Sequence, residues 1–421
     1  MLIAFASVFI TLIVVLIIRN LSAPERHLNH NVRANFSVED RQFELSMGNL
    51  LGPPILEGNS VEPLVNGNRY FPAMLEAIRG AKKTITMETF IFWSGDIGRQ
   101  FTEALVERAQ AGVKVHLLMD WFGSWKMEKP LLRRIKEGSS GIQIEFYRPL
   151  GVHNLARFNN RTHRKSLVVD GKVGFTGGAG IADPWDGDAQ DRQHWRDTQY
   201  RLRGPAVAQM QAAFTDNWMQ SHFSVLFGED YFPEPERAGD MKAQVFGSGP
   251  DAGAESVRIM YLISIACARK SIRLAHSYFV PDKLAIRTIV AACKRGVEVE
   301  LMVPGPSDAP ITMAGMRSRL KPLLHAGIRV YQYQKSLFHC KVMVVDDLWT
   351  SVGSSNFDHR SFRLNDEVNL NVLDVNFARR QIEIFEQDKK NCVEITWEQW
   401  KHRPVLNRVV DWFAGLFRAQ M

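Results

Sequence analysis

The apolar positions of this chain fall into three kinds of run. Met1 to Ile18 carries no charged side chain and is almost wholly apolar. As a helix rising 1.5 Å per residue it would span roughly 27 Å, about the hydrocarbon thickness of a bilayer. No basic stretch precedes it, and it is long for the core of a cleaved signal, so residues 1–19 read as an uncleaved transmembrane anchor. Arg19, Arg26 and Arg33 follow, which by the positive-inside rule puts the body on the cytoplasmic side. Residues 20–60 are mixed and polar, with Gly52-Pro53-Pro54 near their end, and read as a juxtamembrane connector.

The second kind of run fills most of the chain and occurs twice. Ala81-Lys82-Lys83-Thr84-Ile85-Thr86-Met87-Glu88-Thr89-Phe90-Ile91-Phe92 resembles Ala268-Arg269-Lys270-Ser271-Ile272-Arg273-Leu274-Ala275-His276-Ser277-Tyr278-Phe279. Ala111-Gly112-Val113-Lys114-Val115 resembles Arg295-Gly296-Val297-Glu298-Val299, and Gly141-Ile142-Gln143-Ile144 resembles Gly327-Ile328-Arg329-Val330. In each copy amphipathic helical stretches alternate with short β-branched strands, the pattern of α/β layers. The unit is far longer than a solenoid repeat, so it is a duplicated domain. Its halves run over residues 61–235 and 236–400.

The third run closes the chain. Residues 404–420 place Val405, Val409, Trp412, Phe413, Leu416 and Phe417 near one helical face, with Arg408, Asp411 and Arg418 elsewhere. Such a helix docks on the second domain or lies in a membrane interface.

Composition narrows this picture only a little. A chain of 421 residues with a formal net charge of +7 suits a phosphate-bearing partner or a membrane surface, and does not itself choose between these and nucleic acid. Four cysteines without C-x-x-C spacing call for neither a disulfide framework nor a zinc site.

The candidate chemistry lies in a motif present once per half. His163-Arg164-Lys165-Ser166-Leu167-Val168-Val169-Asp170 and His339-Cys340-Lys341-Val342-Met343-Val344-Val345-Asp346 both read H-x-K-x4-D, each with a small pair, Gly177-Gly178 or Gly353-Ser354, after the Asp. The Val-rich run after each Lys reads as a buried strand. Residues two apart on a strand share a face, so His163 lies beside Lys165 and His339 beside Lys341. Asp170-Gly171 and Asp346-Asp347 mark turns, and holding the turn is preferred for each Asp over a direct part in catalysis. Two His and two Lys meeting across a pseudo-twofold axis suit phosphodiester chemistry without metal or cofactor. The Lys pair neutralises phosphate oxygens, one His attacks phosphorus and the other protonates the departing alcohol. Each His needs a partner to fix its tautomer. Asp197 lies 34 residues after His163 and Glu367 lies 28 after His339, each following its motif in the same order, which makes them the candidate orienting carboxylates.

These paired motifs resemble those of the phospholipase D superfamily. The wider chain is similar to bacterial cardiolipin synthases, through its N-terminal hydrophobic segment, Tyr278-Phe279-Val280-Pro281-Asp282, and Asn356-Phe357-Asp358-His359-Arg360-Ser361-Phe362-Arg363-Leu364-Asn365. The resemblance spans roughly residues 45–400. It implies two αβ-layered sandwich domains with one site between them, and a phosphohistidine intermediate. His163 would be the nucleophile and His339 the general acid and base. Lys165, Lys341, Asn356, Gly178 and Ser354 would lie about the phosphate, with Asp170 and Asp346 supporting. It also implies a phosphatidyltransferase that joins two phosphatidylglycerols into cardiolipin at the bacterial inner membrane; a nuclease of the same superfamily is the less favoured alternative, because the anchor argues against a nucleic acid partner. Hydrolysis, or transfer to another alcohol, would use the same residues. One position departs from the family pattern: Gly180 stands in the first half where Asn356 stands in the second.

Overall fold

A computed structural model describes residues 32–151, 157–250, 253 and 255–416, with isolated positions 7, 11 and 15. Both halves build the same half-sheet. From the middle outward the first half places Leu56–Val65, Thr198–Arg203, Val173–Gly177, Ser166–Val169, Thr84–Thr89, Lys114–Asp120 and Ile142–Tyr147. The second places Met241–Ser248, Glu367–Leu373, Trp349–Gly353, Lys341–Val345, Ser271–His276, Glu298–Pro304 and Arg329–Tyr333 in the same order, and adds Cys392–Ile395 at its outer edge. The two innermost strands pair antiparallel, so the described residues form one 15-stranded sheet about a pseudo-twofold axis.

Helices cover both faces, which is why the motif strands are apolar without alternation. In Ser166–Val169 every residue is buried. Leu167 and Val169 enter the core shared with helices Gly67–Gly80 and Asp96–Gln110, while Val168 enters the core on the other face with Val207 and Met210 of Val207–His222. Helices Ser256–Cys267, Lys283–Lys294 and Pro310–His325 cover the second half in the same way.

Each motif strand ends in a two-residue turn whose central residues both have positive φ: 52° and 63° at Asp170 and Gly171, 52° and 56° at Asp346 and Asp347. This backbone matches the twist of a tight hairpin. The Asp170 carboxylate accepts the backbone N–H groups of Lys82, Lys83 and Thr84, and Asp346 accepts those of Arg269, Lys270 and Ser271. Both carboxylates therefore tie the hairpin to the start of the neighbouring strand, at the end away from the histidines. That geometry puts them outside any catalytic set.

Two expectations change. The connector assigned to residues 20–60 contains a helix, Arg41–Leu51, whose Phe43, Met47 and Leu51 are buried in the second-half core; Phe43 meets Trp349 edge-on with ring centroids 4.8 Å apart. Its spacing of four places these three side chains on one stripe, and burying that stripe outweighs the polar surroundings. The first sheet strand then begins inside the same segment, at Leu56. The terminal helix, Val405–Leu416, is turned inside out: Asp411, Ala414 and Gly415 face helix Pro310–His325, while Val405, Leu406, Val409, Val410, Trp412 and Phe413 are exposed. Asp411 is held there by Arg317 at 2.9 Å and Arg403 at 3.3 Å. The anchor expected over residues 1–19 lies outside the described residues apart from positions 7, 11 and 15. Among the described residues no helix is long and apolar enough to cross a membrane.

Candidate active site

The site forms where the halves touch, and two short bridges build it. Thr162 pairs with Asp366, and Arg196 with Phe338, each in parallel. The N–H of His163 donates to the Asp366 carbonyl at 2.8 Å and that of His339 to the Arg196 carbonyl at 2.8 Å. Each bridge sets a motif histidine beside the residue after its bridge partner, which is Glu367 for His163 and Asp197 for His339. The orienting carboxylates are therefore exchanged between halves. His163 Nδ1 lies 3.0 and 3.1 Å from the two Glu367 oxygens, and His339 Nδ1 lies 2.8 Å from Asp197 Oδ2. Asp197 and Glu367 were expected from their place after the motif of their own half. They lie at the site, but each serves the opposite histidine.

An ionised carboxylate only accepts, so Nδ1 of each ring carries a hydrogen, and on a neutral ring Nε2 keeps its lone pair. Burial pushes His163 down to about 4, against the pull of Glu367 and helped by Lys165 and Lys341, so the ring is neutral at pH 7. Burial alone would raise Glu367. His163, Lys165 and the Ser354 hydroxyl outweigh it and hold the carboxyl at about 2. Burial and the adjacent Lys341 lower His339 as well. Burial brings Lys165 down to about 7 and shifts Lys341 in the same direction.

Both lysines fold back on their own motif. Lys165 Nζ donates to the His163 carbonyl at 2.8 Å and Lys341 Nζ to the His339 carbonyl at 2.6 Å. Lys341 also lies 3.1 and 3.2 Å from the two ring nitrogens of His339 and donates to Ser277 Oγ at 2.9 Å. The Ser277 hydroxyl in turn donates to Asn356 Oδ1 at 2.9 Å, so Asn356 stands beside the second lysine.

The small pairs stand behind the carboxylates. The Ser354 hydroxyl donates to Glu367, and a Cβ on Gly178 would lie 2.4 Å from Asp197 Oδ1. The Ser354 hydroxyl is thus engaged by Glu367, and the bare Cα of Gly178 leaves room for the Asp197 carboxylate; both shape the pocket of an orienting carboxylate. Gly180 has no room for the missing asparagine, because a Cβ there would come within 2.8 Å of Ile91 Cβ. Sequence reasoning did not single out Ser277, Ser361 or Trp185. Ser361 donates to Glu367 Oε1 at 2.7 Å and Trp185 Nε1 to Asp197 Oδ2 at 3.0 Å. Ser277 stood opposite Phe90 in the repeat, a polar-for-aromatic difference that marks it; Trp185 had no such signal. Among the described residues no group of three or more His, Cys, Asp or Glu could hold a metal ion.

The family model for the phospholipase D-like domain of cardiolipin synthase matches residues 74–187 and again 261–389, one match on each half. The chain belongs to the cardiolipin synthase family. Among its family relatives, the major cardiolipin synthase ClsA of Bacillus subtilis is 33% identical over 388 residues, covering 92% of this chain and 80% of that one. Cardiolipin synthase 1 of Bacillus cereus is 32% identical over 375 residues, covering 87% and 73%. The fold is similar to that of a crystallised phosphatidylserine synthase from Haemophilus influenzae, with a TM-score of 0.67 at 14% identity over 90% of this chain and all of that one.

Proposed function

We propose that the chain is a phosphatidyltransferase that makes cardiolipin and glycerol from two phosphatidylglycerols, with His163 as nucleophile. In the first step, which His339 enters as the imidazolium, His163 Nε2 bonds to phosphorus, the bond from phosphorus to the glycerol oxygen breaks, and His339 Nε2–H gives that oxygen its proton and becomes neutral. In the second, a head-group hydroxyl of another phosphatidylglycerol returns a proton to His339 and attacks phosphorus as the Nε2 bond breaks. Lys165, Lys341 and Asn356 neutralise and bind the phosphate oxygens. Burial holds His163 near 4 and so neutral at pH 7, the form an attacking ring needs. Burial of both histidines and both lysines also keeps bulk water from the phosphohistidine, which transfer requires.

The observation that carries this reading is the exchange of carboxylates: neither half holds a complete His–carboxylate pair of its own, so the two motifs act as one centre. For location, the apolar run at Met1 to Ile18 and the outward apolar face of Val405–Leu416, flanked by exposed Lys401, His402 and Arg408, favour a body held at the cytoplasmic side of the bacterial inner membrane. The test is incubation with labelled phosphatidylglycerol in detergent and identification of the lipid products. Cardiolipin with equimolar glycerol is expected, and its loss in both His163→Ala and His339→Ala. Phosphatidic acid as the main product would replace transfer by hydrolysis.

A further inference from the structure

The two halves surround their histidines with different chemistry. The strands Thr84–Thr89 and Ser271–His276 are equivalent, so the residues just beyond them correspond. In the first half these are Phe90 and Ile91; in the second they are Ser277 and Tyr278. Phe90 sits edge-on to His163 at 5.2 Å between ring centroids and lies under Lys165 Nζ at 5.5 Å. Ser277 instead links Lys341 to Asn356. The loops after the next pair of equivalent strands differ likewise. After Lys114–Asp120 the chain exposes Phe122 and Trp125, next to Asp120, whose carboxylate accepts the N–H of Thr162. After Glu298–Pro304 it carries the exposed Asp308. Tyr278 Oη donates to Asp308 Oδ1 at 2.6 Å, and the Tyr278 ring stands edge-on to His339 at 6.1 Å. Among the described residues Asp308 Oδ2 takes no protein hydrogen bond.

We propose that Tyr278 and Asp308 form the subsite for the hydroxylated head group and set the choice of acceptor, while Phe90, Ile91, Phe122 and Trp125 line the side that takes the diacylglycerol. The assignment rests on the transferase reading above. In-line displacement by His163 sends the departing glycerol away from His163, toward His339, and the acceptor enters by the same path. That side offers a carboxylate oxygen and a phenol for the hydroxyls that do not react. A monohydric alcohol offers no second hydroxyl to Asp308 Oδ2 or to the lone pairs of Tyr278 Oη, so the pair selects for a polyol.

The experiment uses the full chain with a phosphatidyl p-nitrophenyl ester as donor, and compares glycerol with 1-propanol as acceptors. Release of p-nitrophenol by the unmodified enzyme together with formation of phosphatidylglycerol from added glycerol reports transfer, and release with phosphatidic acid as the only lipid product would overturn the transferase reading itself. Asp308→Asn and Tyr278→Phe should each lower the preference for glycerol over 1-propanol by about tenfold or more, the worth of one hydrogen bond to a charged group. The loss should appear in the KM for glycerol. A preserved preference, whether or not absolute rates fall, would overturn the subsite and leave the two residues a structural role.

Discussion

The crossing of the orienting carboxylates can be tested by replacing each with its amide. Glu367 is fully buried and accepts from His163 Nδ1, Ser354 and Ser361. In Glu367→Gln the charge goes and the amide N–H₂ group competes for a position where His163 and two hydroxyls all donate. Losing a charge-assisted hydrogen bond costs roughly 1.5–3 kcal/mol. Admitting the wrong tautomer removes the Nε2 lone pair as well, and such a swap in a comparable triad costs ~10⁴ in rate, or about 5.5 kcal/mol. A fall of ~10³ to ~10⁴ in phosphohistidine formation is therefore expected. Asp197→Asn should produce a fall of similar size by another route, since it misplaces the ring that protonates the leaving alcohol. A donor with a p-nitrophenolate leaving group separates the two, because that group departs without a proton. In rapid acid quench with this donor, Asp197→Asn should recover most of its lost phosphoenzyme rate, and Glu367→Gln should recover little. Recovery in Glu367→Gln but not in Asp197→Asn would refute the combination of crossed pairing with His163 as nucleophile. Circular dichroism and thermal melting of both variants would separate misfolding from lost chemistry.

The remaining predictions concern protonation and packing. Below about 7 Lys165 carries its charge and above it the charge is lost, while His163 is neutral above about 4. With the p-nitrophenyl donor, whose leaving group needs no proton from His339, kcat/KM should therefore rise through pH 4 and fall above pH 7, and Lys165→Arg should move the alkaline limb up by keeping a fixed charge; an unmoved limb would exclude Lys165. Asp346→Ala frees three backbone N–H groups and should lower stability by about 3 kcal/mol at roughly 1 kcal/mol each, read as a shift in urea midpoint, with a much smaller change in kcat. A large loss of kcat in a stable Asp346→Ala protein would return that Asp to the chemistry. Gly178→Ala puts a Cβ 2.4 Å from Asp197 Oδ1, so it should behave like Asp197→Asn, including recovery with the p-nitrophenyl donor.

What could be read from the sequence was whatever each half specifies alone. The buried strand after each lysine, the turn at each Asp and the candidate carboxylates Asp197 and Glu367 all follow from local spacing. The pairing of those carboxylates does not, because it depends on Thr162 meeting Asp366 and Arg196 meeting Phe338 across the interface between halves. Helix Arg41–Leu51 was hidden for a related reason: its apolar stripe of Phe43, Met47 and Leu51 finds a partner only in Trp349 and the core of the distant half. The most useful signals were the places where the repeat fails. Asp170 and Asp346 stay the same because both halves must close a hairpin against three backbone N–H groups. Phe90 against Ser277, Ile91 against Tyr278 and Gly180 against Asn356 differ together, and the first-half set excludes the polar one, since Ile91 fills the space an asparagine at 180 would need. With Ser at 90 and Asn at 180 the two ends of the site would be chemically alike, and a phosphodiester could enter either way round. Divergence at these three pairs of positions gives the site a direction, and with it a reason for one histidine to attack and the other to carry the proton.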